Sequence, residues 1–126
     1  MAEEIKMSFP ADTEYISTIR LAVSGVAGKL DFALDEIEDL KSCVSEACLL
    51  ILCGQECQGI DIGMVVDNGI KMNVEGVGVR AGTCDDCMEF NEEISRIMIE
   101  ALSENAFFDE NDGLLNAISF SKSHSA

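Results

Sequence analysis

The stretch DEIEDLKSCVSEACLLILC, residues 35–53, is the basis of the fold prediction. Its apolar residues recur every three or four positions, which predicts one long amphipathic helix. Asp35 and Glu38 have the spacing of a capping box, so we expect the helix to begin at Asp35. The predicted core stripe consists of Ile37, Leu40, Val44, Ala47, Cys48 and Ile51.

A second line of residues runs along the same helix, about a quarter turn from the core stripe. It consists of Cys43, Glu46, Leu50 and Cys53. Glu46 is the one carboxylate on this line, and most of its neighbours there are small or apolar. A functional interpretation of the chain depends on why a carboxylate stands at this position.

Two elements are predicted before this helix. The alternating residues 5–9 end at the only proline and predict a first or edge strand. A helix follows, capped by Asp12 or Thr13. Gly25 and Gly28 weaken that helix in isolation, so we expect the close approach of another backbone, from a neighbouring helix or a second subunit. The apolar seam of the helix consists of Ile16, Ile19, Val23, Val26 and Leu30.

Two hairpins and a third helix are predicted after the long helix. Alternation on both sides of Asp67-Asn68-Gly69 predicts a hairpin whose tight turn uses positive φ angles. Segments 106–109 and 114–121 predict a last pair of strands. The third helix is predicted over residues 91–104, and its apolar face consists of Phe90, Ile94, Ile97, Met98 and Ala101.

This order of elements predicts the fold class. Hairpins pair neighbouring strands antiparallel, and helices beside such a sheet cover one of its faces. We therefore expect an α+β two-layer sandwich, with three helices on one face of a mixed, mainly antiparallel sheet. A chain of 126 residues suits a single domain over residues 1–126.

Charge and hydropathy exclude several classes of function. The chain has 24 acidic and 8 basic residues, a net charge of −16, which disfavours direct binding of nucleic acid or of an anionic membrane. A basic protein partner is easier to accommodate. The first residues, MAEEIK, lack the basic and apolar regions of a signal peptide, so we expect a cytoplasmic protein that does not span a membrane.

The cysteines leave more than one interpretation open. Six cysteines without a secretory signal favour reduced thiols over a disulfide framework. Cys53, Cys57, Cys84 and Cys87 are candidate zinc ligands, because a C-x-x-C pair in a loop is a common half-site. Separate thiols are the simpler explanation, and we expect no metal site. A cysteine-based metal or redox sensor remains an alternative function.

Several local motifs resemble a known family. Within residues 9–48 these are a proline-led entry, Ile-Arg-Leu at 19–21, Ser-Gly-Val-Ala at 24–27, and Val-Ser-Glu-Ala-Cys at 44–48. They resemble the anti-sigma-factor serine kinases, which share the GHKL fold of histidine kinases and Hsp90-like ATPases. The later helix and hairpins keep the family's order of elements with weaker identity.

This resemblance implies an α/β sandwich that holds Mg-ATP between helices and sheet, and a homodimer. The implied partners are a sigma factor, which the dimer sequesters, and an anti-anti-sigma protein, which it phosphorylates on serine. Glu46 takes the position of the family's general base. Gly76 and Gly78 take the positions of its nucleotide-binding glycines, and Arg20 on the first helix takes a position suited to partner docking.

The chain departs from the family at three nucleotide contacts. Leu50 replaces the asparagine that ligates magnesium, and Val74 replaces the aspartate that receives the adenine amino group. Asn91-Glu92-Glu93 replaces the glycine-rich phosphate motif, where two carboxylates would repel a triphosphate. Without a magnesium ligand beside it, Glu46 is better interpreted as a carboxylate that pairs locally, a remnant of the catalytic residue.

We therefore predict an anti-sigma-factor-like regulator that binds a sigma factor or an anti-anti-sigma protein without ATP-dependent kinase activity and without a cofactor. The first alternative is an active serine kinase that uses Mg-ATP and Glu46 as general base. The second alternative is the cysteine-based metal or redox sensor.

Overall fold

The computed structural model describes residues 2–82, 87 and 90–123. Five strands form one sheet, and three helices pack against one of its faces. The α+β two-layer sandwich is therefore confirmed. The elements are β1 (Glu3–Pro10), a short 3-10 helix (Thr13–Tyr15), α1 (Ile16–Gly28), α2 (Leu34–Cys53), β2 (Gly59–Val66), β3 (Gly69–Val77), α3 (Glu92–Leu102), β4 (Glu104–Asn111) and β5 (Leu114–Ser123).

The strand order in the sheet is β1-β2-β3-β5-β4, and each of its four pairings is antiparallel. β1 lies at one edge, as the proline at its end predicts, and β4 lies at the other. Every strand joins its sequence neighbour in a hairpin except where a helix intervenes. The sequence prediction of a mainly antiparallel sheet is thus correct.

Helix α2 lies at the centre of the helical layer. It packs against α1 on one side and α3 on the other, and its inner face covers β3 and β5. The predicted core stripe of α2 is buried, apart from the partly buried Ile37. Beneath it, the inward-facing residues of the central strands are also buried, among them Ile60, Ile62, Met64, Met72, Val74, Ile118 and Phe120.

The start of α2 differs from the prediction by one residue and by its cap. The helix begins at Leu34, and the residue before it, Ala33, has no side-chain acceptor for a helical N–H group. Glu36 instead accepts a hydrogen bond from the backbone N–H of Ala33, at 2.8 Å. The acidic residues at positions 35 and 36 also lie in the first turn, where the helix dipole favours negative charge.

The positive φ angles predicted for the β2–β3 turn occur in the β4–β5 turn instead. Asn68 and Gly69 lie in the predicted turn, but neither has a positive φ. Gly69 is needed for another reason, because a Cβ there would lie 2.6 Å from the backbone oxygen of Lys122 on β5. The positive φ values occur instead at Asp112 and Gly113, the two-residue turn between β4 and β5.

Expectations about both outer helices need correction. Outside α1 itself, no described atom lies within 4 Å of a Cβ added at Gly25 or Gly28, so no neighbouring helix of the same chain approaches them closely, and the approach of a second subunit stays a prediction. On α3 the predicted apolar face is not the buried one. Ser95 and Ile99 are buried, whereas Ile94 and Ile97 are exposed.

Candidate functional site

Glu46 lies on the side of α2 that faces α3. The Ser95 hydroxyl on α3 donates a hydrogen bond to Glu46 Oε2 at 2.9 Å. Ser95 is only 3% exposed, while Glu46 is half-buried. This contact joins the two helices and gives the carboxylate a local partner.

The next residue on this side of α2 is apolar and closed to solvent. Leu50, one turn after Glu46, is 2% exposed. Val74 on β3, the residue at the family's adenine-acceptor position, is completely buried. Both side chains belong to the continuous hydrophobic core of the protein. They therefore contribute packing at positions where a nucleotide site requires oxygen ligands.

The space above Gly76 is filled by side chains of the same chain. A Cβ at Gly76 would lie 2.5 Å from Val79 Cγ2 and 3.0 Å from Ile51 Cγ2. Gly78 has a φ of 65°, a value that favours glycine, and a Cβ there would lie 2.9 Å from the Gln58 side chain. Contacts within the fold thus explain both glycines.

The N-terminus of α3 carries its own cap. The side chain of Asn91 accepts a hydrogen bond from the backbone N–H of Ile94 at 3.1 Å. Glu92 and Glu93 occupy the first turn, and Glu92 also accepts a hydrogen bond from Arg96 at 3.1 Å. The charge at this helix end is therefore already negative.

Arg20 lies on α1 and is held against α2. Its Nη1 donates a hydrogen bond to the Ser45 hydroxyl at 2.8 Å, and that hydroxyl donates to the backbone oxygen of Lys41 at 2.8 Å. Arg20 as a whole is half-buried. Its role in partner docking stays a prediction.

The cysteines correct the expectation that all thiols are reduced. A disulfide joins Cys53, the last residue of α2, to Cys87, and their Cα atoms are 5.7 Å apart. Cys57 is half-buried in the connection between α2 and β2, and Cys84 lies outside the described residues. Within residues 2–82, 87 and 90–123, no group of three or more Cys, His, Asp or Glu residues is arranged to hold a metal ion.

Two other cysteines lie in the core. Burial raises the pKa of Cys43 from 9.0 to about 11 and the pKa of Cys48 to about 12. Both thiols are consequently protonated at neutral pH and poorly reactive. They act as small core residues.

Comparison with known proteins identifies relatives of the chain. Serine-protein kinase RsbW from Bacillus mycoides is 36% identical over 98 residues, an alignment that covers 66% of this chain and 60% of the relative. The proteins of the same name from Bacillus cereus and Bacillus thuringiensis match to the same extent. The resemblance to these serine kinases is confirmed. The chain spans about 60% of the length of the relatives that it matches, and no family model matches it.

At the positions that the resemblance assigns to a Mg-ATP site, the side chains present lack the groups that such a site uses. The magnesium-ligand position holds a buried leucine, Leu50, and magnesium requires oxygen ligands. The adenine-acceptor position holds Val74, which cannot accept a hydrogen bond through its side chain. Glu92 and Glu93 stand where the family's glycines would place backbone N–H groups around the phosphates.

Sequence reasoning missed three residues of this region. Ser95 partners Glu46, Val79 covers Gly76, and Gln55 joins the end of α2 to β5 through two hydrogen bonds with the backbone of Leu115. No local pattern marks the first two, because their partners lie in other elements.

Among the described helices, none is both long enough and apolar enough to span a bilayer.

Proposed function

We propose that this protein is a cytoplasmic, anti-sigma-factor-like regulator that binds a sigma factor or an anti-anti-sigma protein and does not phosphorylate it. In this proposal the RsbW-like fold is retained for protein binding, and no cofactor is used. The protein acts as a homodimer, as the family resemblance implies.

The observation that carries the proposal is the closed packing around Gly76. Val79 and Ile51 fill the space beside this glycine, and the neighbouring Leu50 and Val74 are buried core residues. Apolar side chains therefore occupy positions that the resemblance assigns to nucleotide contacts, which supports a role without nucleotide.

The contact between Glu46 and Ser95 also supports a structural role for this carboxylate. One oxygen of Glu46, Oε2, accepts a hydrogen bond from a buried serine of the same chain. The bond joins α2 to α3, so it gives this carboxylate a structural role.

Charge supports a protein partner with a basic surface. The net charge of −16 repels nucleic acid and gives fast association with positively charged proteins at low salt. Arg20, held by Ser45 but partly accessible, is a candidate contact within this otherwise acidic surface.

Calorimetry with ATP and magnesium tests the nucleotide part of the proposal. We expect no heat of binding for the wild-type protein or for Glu46→Gln. Purified sigma factors from the host should bind in the absence of nucleotide, and Arg20→Ala should weaken that binding at least several-fold. Serine phosphorylation of an anti-anti-sigma protein that needs magnesium and disappears in Glu46→Gln would establish the active-kinase alternative instead.

The disulfide favours redox chemistry over zinc within the cysteine-based alternative. Cys53 and Cys87 are joined to each other, so neither is available as a zinc thiolate in this form. Mass spectrometry of alkylated protein from intact cells would measure the oxidised fraction of this pair. A fraction that changes with the cellular redox state, together with partner binding that follows it, would support this second candidate.

A further inference from the structure

Helix α3 exposes an apolar surface. Ile94 and Ile97 are 55% and 58% exposed, and Ala101 beside them is also exposed. In a helix, residues three, four and seven positions apart lie on one face, so these three side chains form one continuous strip. We call Ile94, Ile97 and Ala101 the α3 stripe.

Within the described residues, the α3 stripe is not the side of the helix that packs inward. The side of α3 that packs inward carries Ser95 and Ile99, which contact Glu46 and Cys43 of α2. Amphipathic helices of globular proteins normally turn their most apolar side to the core. An apolar strip that faces outward is typical of an interaction surface.

The charges around the α3 stripe have one sign. Glu93 and Glu100 are exposed on the outer side of the helix, adjacent to the stripe. The only basic residue of α3, Arg96, turns toward β4, where it bonds Glu110 and lies 4.8 Å from the centre of the Phe108 ring. Arg96 also bonds Glu92, so its charge is already compensated. The outer surface of α3 is therefore apolar and acidic.

This charge pattern favours one kind of binding partner for the α3 stripe over another. A second copy placed stripe against stripe would bring another Glu93 and Glu100 to the contact, and this local repulsion is unfavourable. An amphipathic helix with lysine or arginine beside its apolar face would match both the stripe and its acidic border.

We propose that the α3 stripe docks a basic amphipathic helix of another protein. The 11 residues of α3 offer about 16 Å of helix, so a partner helix of roughly three turns covers the stripe. Arg20 lies on α1, and α1 packs on the other side of α2, so this surface is separate from the Arg20 contact. The proposal does not depend on whether the protein binds nucleotide.

Binding of designed peptides tests the proposal on the full chain. The probe is a fluorescent 18-residue helical peptide with leucines along one face and lysines on the others. One control peptide has the same composition with the leucines distributed around the helix, and a second control replaces the lysines with glutamates. We expect only the first peptide to bind appreciably in fluorescence anisotropy at physiological salt.

Matched protein variants locate the binding surface. Ile94→Ser combined with Ile97→Ser should weaken binding at least about tenfold, because apolar contact area is lost. Glu93→Gln combined with Glu100→Gln should weaken it about two- to fivefold at low salt and less at high salt. Leu21→Ser and Phe107→Ser, which change exposed apolar residues elsewhere, should leave binding unchanged.

Three results would overturn the proposal. Equal binding of the patterned and the redistributed peptide would mean general attraction to an acidic protein. A change of mass in light scattering for the double serine variant would make a second copy the occupant. A fall of several degrees in its melting temperature would mean that another part of the chain covers the stripe.

Discussion

The two flanks of α2 are built in opposite ways. Toward α1, the apolar residues that share a face in the sequence, such as Ile19 and Val23, are fully buried. Toward α3, Ser95 is buried at the contact beside Ile99, while Ile94 and Ile97 of the same helix are exposed. Helix α1 thus packs its most apolar face inward, whereas α3 leaves part of its apolar surface exposed.

This difference shows what helical spacing does and does not determine. Spacing identifies residues that share a face, but it does not say which face turns inward when a helix has more than one apolar line. On α3, Ile99 and Leu102 form a second line beside the α3 stripe, with Ile99 buried and Leu102 half-buried. The contacts of Ser95 with Glu46 and of Arg96 with β4 accompany the inward packing of that second line.

Truncation of one isoleucine on each flank gives the largest contrast. Ile19→Ala removes a fully buried side chain and should lower the free energy of unfolding by about 2–5 kcal/mol. Ile97→Ala on α3 should change it by no more than about 0.5 kcal/mol. Urea unfolding of both variants measures the difference. Comparable losses would show that the α3 stripe is covered in solution.

The polar contacts on the two sides of α2 should differ less in their contribution to the free energy of unfolding. Ser95→Ala removes the partner of a half-buried carboxylate and should cost about 1–2 kcal/mol. Ser45→Ala should cost about 0.5–1 kcal/mol, because the half-buried Arg20 can bond water instead. A double-mutant cycle of Ser95→Ala with Glu46→Gln measures the coupling directly. A coupling energy near zero would contradict the bond that joins α2 to α3.

The smallest difference is expected between two buried thiols of α2, Cys43 and Cys48, whose pKa values are both raised. Cys43, which faces Ile99, has its pKa raised by burial to about 11, and the pKa of Cys48 is raised to about 12. Above pH 9 the unfolded chain loses these protons while the folded chain keeps them, so stability falls as pH rises. By pH 10 each thiol should account for about 1 kcal/mol of that loss.

Chemical unfolding at pH 8 and pH 10 checks this expectation. Cys43→Ala and Cys48→Ala should each lose less stability between the two pH values than the wild-type protein does. The wild-type dependence should include both contributions. An alanine variant with an unchanged pH dependence would show that the thiol it lacks is accessible to water.

For the candidate site, the residue types at positions 50 and 74 were informative from the sequence alone. Leucine and valine have no side-chain oxygen in any fold, and the structure buries both. Their surroundings were not predictable in the same way. Val79 reaches Gly76 across a strand end, and Ser95 reaches Glu46 from another helix, so no local pattern connects either pair.

Local patterns alone were sufficient for the element order, the antiparallel hairpins, the core stripe of α2 and the acidic character of the surface. These features depend on neighbours in the sequence, since periodicity, turn residues and charge are local properties. The sequence did not predict which face of α3 is buried, that Ser95 is the partner of Glu46, or that Cys53 and Cys87 are joined. Each of these depends on contacts between residues far apart in the chain, and packing the helices on the sheet brings those residues together.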